Sequence, residues 1–279
     1  MSASPALLSL PVLITRLRAV GCVFAEEEAR LLLSTATAPD ALALMVDRRE
    51  AGLPLEHVLG WAGFCGLRIA VEPGVFVPRR RTEFLVERAA ALARPGAVVV
   101  DLCCGSGAVG AALAAALERA ELHAADIDPV AVRCARRNAA AGGRVYEGDL
   151  YRALPAGLRG RVDLLVANAP YVPTREIGLL PPEARLHEPR VALDGGSDGL
   201  DVQRRVTAGA LRWLAPGGHL LMETSERQTA GTVAAFARAG LTPRVAVSDT
   251  LQGTVVTGTS PGRGRKSGAA TASGRSARW

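Results

Sequence analysis

The stretch Ala97–Gly107, AVVVDLCCGSG, decides the fold. Its valine-rich run ends on Asp101, and an unbroken β-branched run is the pattern of a strand buried on both faces. Gly105 and Gly107 then permit a tight turn, and an alanine-rich run from Ala108 reads as a helix. The strand–turn–helix unit repeats downstream. ELHAAD (121–126) leads into DPVAVRCARRNAA (128–140). RVYEGD, VDLLVAN and GHLLMET supply three more strands, and ERQTAGTVAAFARAG (226–240) another helix. Such alternation predicts an α/β fold with a parallel, doubly wound sheet. The end, PRVAVSDTLQGTVVTGT (243–259), holds two strand patterns with no helix between them, so one strand is predicted antiparallel.

Upstream of this domain the pattern is helical. SLPVLITRLRAVG (9–21), AEEEARLLLSTA (25–36) and PDALALMVDRREAG (39–52) predict three short helices, and hence a small module over 1–60. A linker over 61–80 alternates like a hairpin, with its turn expected at Pro73–Gly74. From Thr82 a capped helix is expected to open the α/β domain, which runs over 81–258. After Gly258 the composition turns to Gly, Ser, Arg and Ala, which predicts a disordered basic tail over 259–279.

Composition excludes several classes. With 49% hydrophobic and 22% charged residues the chain is that of a globular protein. No apolar run reaches the ~18 residues of a membrane span. The first residues carry no early basic cluster, and Arg16 and Arg18 interrupt any signal-like core, so a cytoplasmic protein with no membrane partner is expected. The net charge of +6 is concentrated at the end, where Arg263, Arg265, Lys266, Arg275 and Arg278 meet no acid; without them it is +1. Contact with nucleic acid is thus expected only indirectly or through the tail. The five cysteines show no C-x-x-C spacing and the four histidines are scattered, so no metal site is predicted.

The turn after the first strand sits where open α/β sheets bind ligands. It lacks both the G-x-G-x-x-G spacing and the Lys-Ser/Thr of a P-loop. An acid ahead of G-x-G at Asp101, with a second acid, Asp126, ending the next strand, resembles an S-adenosylmethionine site. Asp126 can accept from both ribose hydroxyls, whereas Asp128 before Pro129 reads as a helix cap. Cys103, Cys104, Gly105, Ser106 and Gly107 form the turn, and Ile127 flanks Asp126. The third strand ends at Asp149, placed for the adenine amino group, with Leu150 or Tyr151 over its ring. Both cysteines of the turn read as packing thiols.

The fourth strand delivers Asn168 to the same edge, in the loop Asn168–Ala169–Pro170–Tyr171. A planar amide or exocyclic nitrogen has a delocalised lone pair and is a poor nucleophile. Acceptors on both of its N–H groups would aim its face at a sulfonium methyl. The Asn168 side-chain oxygen can take one hydrogen and the Ala169 carbonyl the other, with Pro170 shaping the loop and Tyr171 packing the flat group. The loop alone fits adenine methyltransferases of RNA or DNA as well, and its alanine would suit a binding protein that no longer turns over.

The wider pattern resembles the HemK/PrmC family of protein-glutamine methyltransferases. The segment VFVPRRRTEFLVE matches its Pro-Arg-x-x-Thr-Glu at Pro78, Arg79, Thr82 and Glu83. HEPRVALDGGSDGLD matches its run from Glu188 to Leu200, and LAPGGHLLMETSERQ its later strand. The resemblance implies a seven-stranded class I S-adenosylmethionine-dependent methyltransferase fold, Rossmann-like, with a small N-terminal helical module that grips the protein substrate. It implies methylation of a glutamine amide in a translation component, a release factor or ribosomal protein. It adds Arg79 and Glu188 as substrate-binding residues and Asn168 as a neighbour of the cofactor. Ala169 stands where the family has proline, and GTVVTGT lacks its Asp-Arg, which marks a divergent branch.

Overall fold

The computed structural model describes residues 9–139 and 142–262. Helices α1 (Leu10–Ala19), α2 (Ala25–Thr35), α3 (Pro39–Glu50) and the short α4 (Leu55–Leu59) make the N-terminal module, one helix more than expected. Leu13, Leu17, Ala29, Leu32 and Val46 are fully buried between them. These are the apolar positions of each helical period, so the module has its own core.

A hairpin of β1 (Trp61–Phe64) and β2 (Leu67–Ala70) follows. Its turn is at Cys65–Gly66, not at Pro73–Gly74. Both turn residues have positive φ, 48° and 75°, as a two-residue hairpin loop requires. Gly74 makes a separate turn beyond the hairpin. Next come α5 (Glu83–Ala90), β3 (Val98–Leu102), α6 (Ala108–Ala116), β4 (Glu121–Asp126), α7 (Pro129–Asn138), β5 (Arg144–Glu147) and β6 (Val162–Ala167). Two short helices, α8 (Pro182–His187) and α9 (Arg190–Leu193), precede α10 (Asp201–Trp213). The chain closes with β7 (Leu214–Thr224), α11 (Thr229–Arg238), β8 (Thr242–Ser248) and β9 (Gly253–Thr259).

Seven strands form one sheet in the order β5-β4-β3-β6-β7-β9-β8. The pairs from β5 to β7 are parallel, while β9 runs antiparallel to both of its neighbours. Every residue of β3 is buried. Alternate side chains go to opposite faces: Val99 packs with α5 and α6, whereas Val98, Val100 and Leu102 pack with α10. Strand order reverses at β3, between β4 and β6, which opens a crevice beyond their carboxyl ends.

Three further features differ from the sequence reading. Thr82 does not cap α5: it lies in a helical conformation, in a 3-10 turn over Arg80–Thr82, and makes no capping bond. Helix α10 went unread although Val202, Val206, Ala210 and Trp213 follow a helical period. Two residues expected in the tail are ordered against the sheet. β9 includes Thr259, and the buried Ser260 donates its N–H to the Gly218 carbonyl. The rest of the expected tail from 263 lies outside the described residues. No helix among the described residues is long and apolar enough to cross a membrane.

Candidate active site

The crevice beyond the sheet opens into a cavity of about 440 Å3. Its wall takes in the β3 turn, the ends of β4 and β5, and Phe76, Arg79, Leu180, Glu183 and Glu188. The loop from Asn168 to Tyr171 lies on the same cavity wall. The strand ends thus bring the expected residues to one cavity, except Gly107, which faces Ala135 of α7 instead.

In the turn, Cys103, Gly105 and Gly107 all have positive φ. A side chain on Gly107 would meet Ala135 at 3.1 Å, a tight contact, and the φ of 78° would strain any other residue. Buried Asp101 accepts from the Gly110 N–H at 3.0 Å. Burial pushes its carboxyl up to about 7, the nearby Asp126 adds to this, and the Gly110 bond opposes it. Asp126 accepts from the N–H groups of Gly105 (2.8 Å) and Asp128 (2.9 Å), which orients the carboxylate and leaves lone pairs over. Asp128 caps α7 by accepting from the Val130 N–H at 2.8 Å. Burial raises both the Cys103 and Cys104 thiols, which keeps them neutral. The Ser106 carbonyl accepts from the Asn138 side chain, which ties the turn to α7. Ile127 is half exposed and Leu150 partly buried at the cavity wall.

Asp149 lines the cavity, but both its oxygens accept from Arg205 of α10, at 2.7 and 2.6 Å. No sequence pattern had indicated that partner. Arg79 also stands at the cavity, held by Glu188 at 2.5 Å and lying over the Phe76 ring. Glu188 is buried and accepts from the Val77 N–H as well. Burial pushes its carboxyl up, against the Arg79 charge and the Val77 bond. The pair therefore braces the linker against the chain after the loop.

Asn168 is set at the end of β6, and its Nδ2 donates to the Thr82 hydroxyl at 3.3 Å. Ala169, the next residue of the loop, is buried. The Tyr171 hydroxyl accepts from Arg81 Nη2 (2.6 Å) and donates to Glu223 Oε1 (3.2 Å). Burial and the Glu223 charge push the phenol well up, so it stays neutral. The Val172 N–H donates to the Leu193 carbonyl, and the Gly195 N–H to the Val172 carbonyl. The Gly-Gly run after α9 thus pairs with the loop. Thr82, Arg81, Glu223 and Arg205 were missed because their partners lie 52 to 142 residues away. Among the described residues, no group of three or more His, Cys, Asp or Glu side chains is placed to hold a metal.

The sheet order, the glycine turn and the polar strand ends define a class I S-adenosylmethionine-dependent methyltransferase fold. The methyltransferase small domain family model matches residues 66–180. A solved methyltransferase from Pyrococcus furiosus shares the fold with a TM-score of 0.53 at 16% identity, covering 70% of this chain and 90% of that one. The chain belongs to the family of the release factor glutamine methyltransferases. It is 42% identical over 208 residues to the enzyme of that name from Geobacter sulfurreducens, with 72% of each chain covered. It is also 41% identical over 205 residues to a 4-amino-L-phenylalanine/4-methylamino-L-phenylalanine methyltransferase of Streptomyces pristinaespiralis, covering 70% of this chain and 69% of that one.

Proposed function

We propose that the protein transfers a methyl group from S-adenosylmethionine to the side-chain amide nitrogen of a glutamine in a peptide chain release factor. The observation that carries this reading is Asn168 at the end of β6, fixed by Thr82 beside the glycine turn. Thr82 engages Nδ2, so the Asn168 Oδ1 is the atom left to accept from a substrate N–H. The Ala169 carbonyl accepts from the second N–H, Pro170 fixes the loop's direction, and Tyr171 packs against the flat amide. Held this way, the nitrogen presents its face rather than its edge.

The residues present suit the cofactor. The cavity volume falls in the range of small-molecule sites, about 300–1,000 Å3. Gly105, with positive φ and nothing within 4 Å of its missing side chain, brings bare backbone to the wall. Bound S-adenosylmethionine supplies a methyl on a positively charged sulfur. Asp126 would hold the ribose hydroxyls, Asp101 and the turn from Cys103 to Gly107 the amino-acid end, and Asp149 with Leu150 and Ile127 the adenine. Arg205 joins this list through its bond to Asp149. Residues 1–60 serve as the module that grips the acceptor protein, and Arg79 with Glu188 edge the acceptor half of the cavity.

A second reading is favoured by the Streptomyces relative. An aromatic amine shares the planar nitrogen, the delocalised lone pair and the two N–H groups of a carboxamide. Labelled S-adenosylmethionine, incubated with extract from cells lacking the gene and separately with 4-amino-L-phenylalanine, decides between them. Label on a release-factor glutamine, read by mass spectrometry of the peptide, supports the main reading. Label only on the amino acid, or on adenine of nucleic acid, overturns it.

A further inference from the structure

We infer that Arg81 and Glu223 are positioning residues that clamp the Tyr171 hydroxyl and thereby set the aim of the Asn168–Tyr171 loop. The kinetic consequence rests on the amide-methylation reading; the geometry does not. Glu223 lies near the end of β7 and is 2% exposed. Its Oε1 accepts from the Tyr171 hydroxyl at 3.2 Å and from Arg81 Nε at 3.1 Å. Arg81 Nη2 donates to the Tyr171 hydroxyl at 2.6 Å, and the guanidinium lies 5.8 Å from the ring centre. Carboxylate, guanidinium and phenol thus close a ring of three bonds.

The opposite end of Tyr171 is held as well. Gln228 Nε2 donates to its carbonyl at 2.8 Å and to the Asp198 carbonyl at 3.0 Å. Three residues earlier, Asn168 is held by Thr82, the neighbour of Arg81. One short segment therefore grips both ends of the loop. Between them Ala169 lacks the ring that fixes φ in proline, so the backbone that offers the acceptor carbonyl depends on its anchors. Arg81 suits the task for a physical reason. Its rigid fork serves the carboxylate and the phenol at once, which a lysine ammonium on a flexible stem does not. Its charge also compensates a buried carboxylate, and the two roles can be separated.

The test compares Arg81→Lys, Arg81→Met and the doubly neutral Arg81→Met/Glu223→Gln. Lysine keeps the counter-charge and is expected to hold the melting temperature near the wild-type value. All three are expected to lower kcat about tenfold, by misaiming the amide, with S-adenosylmethionine affinity unchanged. Tyr171→Phe added to Arg81→Met is expected to cost little more, because both remove one network. Amide hydrogen exchange across 168–173 is expected to quicken in all three variants, whatever the substrate. Wild-type exchange in Arg81→Met overturns the clamp, as does wild-type kcat in Arg81→Lys or additive loss in Arg81→Met/Tyr171→Phe. Faster exchange in the variants, with no transfer by the wild-type enzyme to any glutamine, upholds the clamp and overturns the substrate reading alone.

Discussion

Asn168 and Asp101 illustrate what one side chain contributes and what its surroundings add. On the proposed reading, Asn168→Ala removes the acceptor for the substrate N–H while leaving the turn intact. Transfer is expected to fall about 10²–10³-fold, with S-adenosylmethionine affinity within about threefold of the wild type, as calorimetry and initial rates would measure. Asp101 sets a pH dependence. Its carboxyl, raised to about 7 by burial, is mostly protonated at pH 6 and ionised at pH 9. In the free protein a raised acid contributes stability that is fully present below its unfolded value and is lost as pH rises through about 7. A cationic ligand reverses the preference, because it favours the carboxylate. Binding of S-adenosylmethionine is therefore expected to tighten as pH rises through 7 and to release a proton at pH 6. Calorimetry in two buffers of different ionisation enthalpy measures that proton, and Asp101→Asn is expected to abolish it. Both residues were legible in the sequence, since each ends a strand at a crevice. Their partners were not: Thr82 looked like a helix cap, and only the approach of Asn168 shows its other use.

Elements show the same division. The β3 turn was legible because chain neighbours decide it: valines for the strand, glycines for positive φ, alanines for the helix. Helix α7 was legible for the same reason, with Asp128 and Pro129 marking its start. The hairpin turn was misplaced because Pro73–Gly74 and Cys65–Gly66 are both plausible turns locally, and only the pairing of Trp61 with Ala70 selects the second. Gly199 could be quoted from the sequence but not explained by it. It has φ +78°, and a side chain there would fall against the Tyr171 carbonyl and the Gln228 amide. Gly199→Ala is therefore expected to cost about 1–3 kcal/mol in urea unfolding. It is also expected to lower kcat more than it changes S-adenosylmethionine affinity, because the displaced group belongs to the loop.

At the scale of the molecule, Arg49 of α3 joins the helical module to the wall of the cavity. Its buried guanidinium pairs with Glu28 at 2.6 Å and with Glu183 of α8 at 2.6 Å. Arg49→Met leaves Glu28 buried without its cation and is expected to cost about 3–5 kcal/mol by urea unfolding. Glu183→Gln spares that pair, so it is expected to raise KM for the protein acceptor severalfold with KM for S-adenosylmethionine unchanged. By itself the sequence determined the alternation of strands and helices, the glycine turn, and the identity of the residues at the strand ends. Those depend on local periodicity and on φ preferences, which neighbours along the chain impose. Only the tertiary structure decided that Arg81 and Glu223 meet at Tyr171, that Arg205 reaches Asp149, and that Arg49 reaches α8. Such pairs join residues 52 to 142 positions apart, and no periodicity records a contact made by the return of a distant strand or helix.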